Sequence, residues 1–233
     1  MPQTKDSSLP WNYIAKLVCI GDSSCGKSSL TTRLCEGRFS ASHDVTIGVE
    51  FGSVVVKVGH DSKMKLSLWD TAGQETYKSV TRSYFRGASG ALLVFDITKR
   101  KTFEHVVDWL SDLRQIADEG IVVILVGNKL DLADHTTNID GENKRAVTQA
   151  EAEEWCKKEG VMKYIETSAK SGQNVELAFQ ELAEKIYQNI EAGKYDLNDK
   201  RSGVKPYGQS ARDTRTVQPV DVTTTTSGKS GCC

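Results

Sequence analysis

Apolar positions along this chain fall into two periods. Ile14 to Ile20 (IAKLVCI), Ala91 to Ile97 (ALLVFDI) and Ile121 to Gly127 (IVVILVG) are apolar at nearly every position and read as strands covered on both faces. Gly48 to Val58, Lys65 to Asp70 and Lys163 to Glu166 complete the strand-like runs, with Gly59 to Ser62 as a hairpin turn. Ser28 to Cys35, Thr102 to Ala117, Thr148 to Glu159 and Asn174 to Ile190 read as helices, the last three with apolar residues at three-and-four spacing. Thr102 and Thr148 are candidate N-caps, and Gly120 and Gly160 candidate stops. Strand and helix alternate, which predicts a single α/β domain: a mostly parallel six-stranded sheet with one antiparallel strand and helices on both faces. Ligands in such folds bind at the carboxyl ends of the strands.

After Ala192 the pattern collapses into Gly, Ser, Thr, Pro, Lys and Asp, too poor in apolar residues to offset the entropy of ordering. The expected organisation is a flexible N-terminal arm over 1–12, one domain over 13–192 and a disordered tail over 193–233. Ala133 to Lys144 (ADHTTNIDGENK) reads as a solvated loop. The length of 233 residues and a hydrophobic share of 38% suit one domain with an appendage. A net charge of −1, with acids and bases interspersed, leaves no basic stripe, so nucleic acid is not an expected partner. There is no N-terminal run resembling a signal peptide and no apolar stretch near the ~18 residues needed to span a bilayer, so the chain is expected to be made and kept in the cytosol. Cys19, Cys25, Cys35 and Cys156 lie within strand, loop and helix patterns without C-x-x-C spacing, and reduced thiols are expected. Cys25 reads as a packing residue in preference to a redox-sensitive one. His43, His60, His105 and His135 have no ligand spacing, so no transition-metal site is assigned.

The chemistry is concentrated in a few short motifs. GDSSCGKS, Gly21 to Ser28, matches G-x-x-x-x-G-K-[ST] between a strand and a helix. There the backbone of Ser23, Ser24, Cys25, Gly26, Lys27, Ser28 and Ser29 can cradle phosphates, Lys27 can reach the β and γ oxygens, and the Ser28 hydroxyl can meet Mg²⁺. WDTAGQE, Trp69 to Glu75, places Asp70 at a strand end on the metal side. It lets the Gly73 N–H approach a γ-phosphate and Gln74 orient an attacking water. The Thr46 hydroxyl, in a connection long enough to fold over the phosphates, can complete the metal shell. NKLD, Asn128 to Asp131, selects guanine, because the Asp131 carboxylate suits a base edge with two donors. Asn128 ties the loop together and Lys129 lays its methylenes along the ring. TSAK, Thr167 to Lys170, offers the Ala169 N–H to guanine O6, with Ser168 and the stem of Lys170 beside it.

These motifs resemble the Ras superfamily of small GTPases over about Tyr13 to Ile190, and within it TIGVEF, KLSLWDTAGQE, TYKSVTRSYFRG and LLVFDIT are similar to the Rab family, of the endosomal and early secretory type. The resemblance implies a G domain, Mg²⁺ as cofactor, GTP and GDP as substrate and product, and Phe39 packing its edge on the guanine. It implies effector contacts at Ile47, Phe51, Trp69 and Tyr84, the last three forming an aromatic triad. It further implies an exchange factor, a GTPase-activating protein, a GDP dissociation inhibitor, a prenylation escort and effectors as partners of a monomer. The terminal Cys232 and Cys233 fit double geranylgeranylation, and two lipid chains give stable anchoring to the cytoplasmic face of endomembranes. The 133–144 connection is longer than its usual Rab counterpart. The expected function is a GTP-hydrolysing switch in vesicle traffic, with Gln74 and Lys27 as its catalytic residues. A GTP-binding scaffold without turnover is the alternative. A P-loop ATPase or small-molecule kinase is disfavoured by Asp131 and TSAK.

Overall fold

Successive residues of a strand point to opposite sides of the sheet, and in the central strands of this protein both sides are buried. The computed structural model describes residues 10–41, 46–133, 144–199 and 201–208. Its strands are β1 (Tyr13–Ile20), β2 (Val49–Val58), β3 (Ser62–Thr71), β4 (Gly90–Asp96), β5 (Val122–Asn128), β6 (Lys163–Glu166) and β7 (Val204–Pro206). Its helices are α1 (Lys27–Glu36), α2 (Lys78–Arg82), α3 (Arg100–Glu104), α4 (Val106–Ile116), α5 (Leu130–Ala133), α6 (Gln149–Glu159) and α7 (Val175–Glu191), with 3₁₀ turns on either side of α2.

The sheet runs β2-β3-β1-β4-β5-β6, parallel throughout except for the β2–β3 hairpin. Ala15, Leu17 and Cys19 of β1 pack with Leu30 of α1 and Phe179, Leu182 and Ile186 of α7. Val18 and Ile20 face the other way, into Phe103, Val106, Trp109 and Leu113 of α3 and α4 and Cys156 of α6. The carboxyl ends of β1, β3, β5 and β6 therefore open on one rim, where the four motif-bearing loops follow them. Among the described residues, no helix is long and apolar enough to cross a membrane.

The six expected strands are present, with one antiparallel pair, and a seventh strand is added. Residues 193–208 do not all belong to a flexible tail: β7 pairs antiparallel with Tyr13 to Ala15 of β1, and Val204 is fully buried. β4 begins to pair with β1 only at Leu17, which leaves the first half of that edge of β1 open, and β7 takes it. The N-terminal arm is likewise shorter than expected. Asn12 exchanges hydrogen bonds with Lys63, and Trp11 meets Tyr207 edge-on at 5.7 Å. Residues 1–9, most of the Ala133 to Lys144 loop and the chain from 209 onward lie outside the described residues.

Thr148 caps α6 as expected, accepting from Glu151 N at 3.3 Å, and Gly160 ends it at φ 65°. Thr102 is not an N-cap. The helix already begins at Arg100, and the Thr102 hydroxyl instead donates to Lys99 O at 2.7 Å and accepts from Asp96 N at 3.0 Å. That helix breaks at His105 and resumes as α4, which ends at Ile116, so Gly120 sits in the following turn rather than at its stop.

Candidate functional site

The loop after β1 turns sharply into α1, with Ser24 at φ 64° and Gly26 at φ 92°. Left-handed residues beside right-handed ones turn successive N–H groups inward, a concavity suited to anions. No side chain caps α1, so its first N–H donors also remain available on this side. Gly26 is needed twice over, because a Cβ there would stand 2.3 Å from Asn128 Nδ2. Lys27 is buried at 5% exposure and its ammonium donates to Gly21 O at 2.9 Å and Asp22 O at 2.8 Å. Burial pushes its pKa down from the ordinary lysine value. Those carbonyl contacts hold the cation at the centre of the loop, where it can neutralise phosphate oxygens.

Ser28, Thr46 and Asp70 converge although they lie far apart in sequence. Ser28 Oγ is 2.7 Å from Thr46 Oγ1 and 2.5 Å from Asp70 Oδ2. Asp70 is 2% exposed, its Oδ1 is buried without a hydrogen-bond partner, and burial raises its pKa to about 6. An oxygen cluster with one orphaned carboxylate oxygen fits a hard divalent cation such as Mg²⁺. Gly73 follows, packed so closely that a Cβ would lie 2.4 Å from Ser23 N and 2.5 Å from Lys27 Nζ. The Gln74 carbonyl accepts from Tyr77 N at 3.1 Å and starts the turn into α2.

At the other end, Asn128 is 2% exposed and knits three segments. Its Nδ2 donates to Cys25 O at 2.8 Å, and its Oδ1 accepts from Thr167 Oγ1 and Ala169 N, both at 3.2 Å. Asp131 Oδ1 accepts from Ser168 Oγ at 2.6 Å, which orients the carboxylate. Lys129 sits at φ 72°, a strained conformation for a residue with a side chain, and its ammonium pairs with buried Asp96 Oδ2 at 2.8 Å. Arg33 of α1 donates to Ala169 O at 2.9 Å and to Lys170 O at 2.5 Å, fixing the TSAK loop from below.

One cavity of about 450 Å³ joins these ends. Ser23, Ser24, Gly26, Lys27, Ser28, Ser29, Phe39, Thr46, Gly73, Asn128, Lys129, Asp131, Ala169 and Lys170 all line it, so the structure brings together nearly every expected ligand residue. Cys25 and Ser168 lie behind the lining: Cys25 is fully buried, its carbonyl serving Asn128, and burial raises its thiol pKa to about 11, as suits a packing residue. Ser40, Ala41 and Leu132 also line the cavity, and neither they nor Asp96 and Arg33 belong to the motifs that pointed here. On the outer surface Phe51 and Trp69 meet at 5.3 Å and Trp69 and Tyr84 at 5.2 Å, forming the expected triad. Phe51 is 60% exposed and Ile47 77%. Cys232 and Cys233 lie outside the described residues.

A phosphate loop at the end of a parallel strand, opening into a cavity that ends in Asp131 and Ala169, defines a P-loop nucleotide-binding protein. Residues 16–188 match the family model for the Ras family, and the chain belongs to that family. In general terms it is a small GTPase, of a family that binds GTP and GDP and typically Mg²⁺.

Proposed function

We propose that this chain is a Rab-type switch in vesicle traffic, membrane-attached when GTP-bound and cycling to a GDP-bound state by its own hydrolysis. The observation that carries the reading is the continuous cavity running from the Ser28 and Thr46 hydroxyls, backed by Asp70, past Lys27, to Asp131, with the triad of Phe51, Trp69 and Tyr84 on the surface beyond.

Each end of the cavity has its own task. The Asp131 carboxylate accepts from guanine N1–H and N2–H₂. The Ala169 N–H, which donates to Asn128 Oδ1 at 3.2 Å, is the donor that serves guanine O6. Lys27 neutralises β and γ oxygens, and the N–H of Gly73 meets the γ-phosphate. Gln74 orients the attacking water with its amide. Mg²⁺ would be held by Ser28, Thr46 and Asp70 and would supply charge neutralisation for the phosphates. Because Thr46 and Gly73 both face the γ-phosphate end, its loss releases the segments that carry Ile47 and the triad, and a partner can read the change.

Unaided turnover is expected at about 10⁻⁴ s⁻¹, the order for Ras-type enzymes without an activator. Single-turnover hydrolysis by wild type and Gln74→Leu tests the catalytic role, and wild-type turnover in the variant would remove Gln74 from it. Equal affinity for ATP and GTP would sink the guanine assignment. The Rab-type part also expects geranylgeranyl groups on Cys232 and Cys233, together with partners that include a GDP dissociation inhibitor, a prenylation escort, exchange and activating factors, and effectors. A tagged Cys232→Ser, Cys233→Ser protein that stays on endomembranes would refute the anchor.

A further inference from the structure

A second hollow, of about 330 Å³, opens on the outer side of the phosphate loop, lined in part by Asp22, Gly73, Lys78, His105 and Trp109. Its wall is a hydrogen-bonded group that none of the roles above employs. The Asp22 carboxylate accepts from Trp109 Nε1–H at 2.8 Å and lies 2.7 Å from His105 Nδ1. An ionised carboxylate can only accept, so Nδ1 carries the proton and donates it. The Asp22 carbonyl, in turn, accepts from Lys27 Nζ at 2.8 Å. One residue of the loop thus connects the ammonium at its centre to the start of α4. On the same indole, Lys78 of α2 places its ammonium 5.2 Å from the ring centroid and 2.7 Å from Asp112 Oδ2. The segment that follows Gln74 therefore rests on the residue that grips the phosphate loop.

We propose that Asp22, His105 and Trp109 form a latch that positions the phosphate loop from outside and slows release of bound guanine nucleotide, with Lys78 coupling the latch to α2. The proposal rests on the GTPase reading. These are positioning residues, since none of the three lines the nucleotide cavity. For nucleotide to leave, the outer turn of the loop must open, and two charge-assisted hydrogen bonds on Asp22 oppose that opening. His105 is the accessible half of the grip, with 40% of its side chain exposed, whereas Trp109 is 4% exposed.

The test measures release of N-methylanthraniloyl-GDP from the full-length, Mg²⁺-loaded protein into excess unlabelled GDP. Trp109→Phe keeps an aromatic ring at this position but loses the N–H together with part of the indole's volume, and His105→Leu loses the second donor. Each is expected to accelerate release by about 10- to 150-fold, the factor that one hydrogen bond to a charged group corresponds to. His105→Asn places an amide nitrogen at the same bond distance from Cβ as Nδ1 and is expected to stay within about threefold of wild type. Because His105 sits in the break between α3 and α4, where asparagine is also the better cap, a merely structural role would lower the melting temperature of His105→Leu as it quickens release, whereas the latch predicts faster release with Tm within about 2 °C of wild type. Since the Trp109 variant disturbs a buried position, the half-exposed His105 pair decides the matter alone. Wild-type release in His105→Leu, or equal acceleration in His105→Leu and His105→Asn, overturns the latch. A wild-type protein that binds no labelled GDP overturns the GTPase reading, and the latch with it.

Discussion

Gly73 leaves little room for change. A Cβ there would stand 2.4 Å from the backbone of Asp22 and Ser23, and backbone cannot swing aside as the tip of a side chain can. Gly73→Ala is expected to keep GDP affinity within about threefold and to lose at least about tenfold in single-turnover hydrolysis, because closing this segment over the γ-phosphate also brings Gln74 into place. Undiminished hydrolysis would detach that closure from the chemistry. At the base end, Asp131→Asn replaces an acceptor by a donor opposite the guanine N2–H₂ group. Affinity should shift from guanine toward xanthine nucleotides, which carry a carbonyl there, with a loss of about 10²-fold or more for GDP in competition binding. Retained GDP preference would take Asp131 out of base recognition. The motif residues were legible because each has a short local signature. Asp96, which pairs with Lys129, and Arg33, which braces Ala169 and Lys170, were not. Their partners lie well away in sequence and meet them only through the fold.

Elements with a clear period were placed within a few residues at most ends, and β6 at the same bounds, since buried strands and amphipathic helices impose their pattern on every turn. The missed elements lack that length. α5 spans Leu130–Ala133 and α2 only Lys78–Arg82, too short to show a helical repeat. β7 carries one fully buried side chain, Val204, in a run otherwise of Gly, Ser, Lys and Pro. Its place is set by the open edge of β1 and by close approach: a Cβ on Gly203 would lie 2.0 Å from Gly87 O. This strap supports the domain as well as leading out of it. A chain cut after residue 208 serves as the reference for the strap. Deleting 194–233 uncovers Val204's pocket and the β1 edge, at a cost of about 2–3 kcal/mol, which lowers Tm by about 5–10 °C. Coincident melting of the two truncations would show that β7 adds nothing.

The whole molecule stands as a sheet with two cores and a rim where separate loops must be held together. Lys27, Thr46, Asp70, Gly73, Asn128, Asp131 and Ala169 come from distant parts of the chain, and the structure joins some of them by hydrogen bonds of their own, as Asn128 does. Others are left at a cost, notably Asp70, whose Oδ1 is buried without a partner and whose pKa rises through burial. A ligand that satisfies such groups in the folded state, and finds no site in the unfolded chain, must stabilise the fold in proportion to its affinity. At a thousandfold excess over Kd the gain is about 4 kcal/mol, which for a domain of this size raises Tm by roughly 8–16 °C. GDP with Mg²⁺ is therefore expected to raise Tm by that order, GDP with excess EDTA by much less, and ATP with Mg²⁺ hardly at all. The three arms separate the two ends of the cavity. An EDTA-insensitive shift would mean that Ser28, Thr46 and Asp70 hold no cation, while an equal shift with ATP would mean that Asp131 and Ala169 do not read the base.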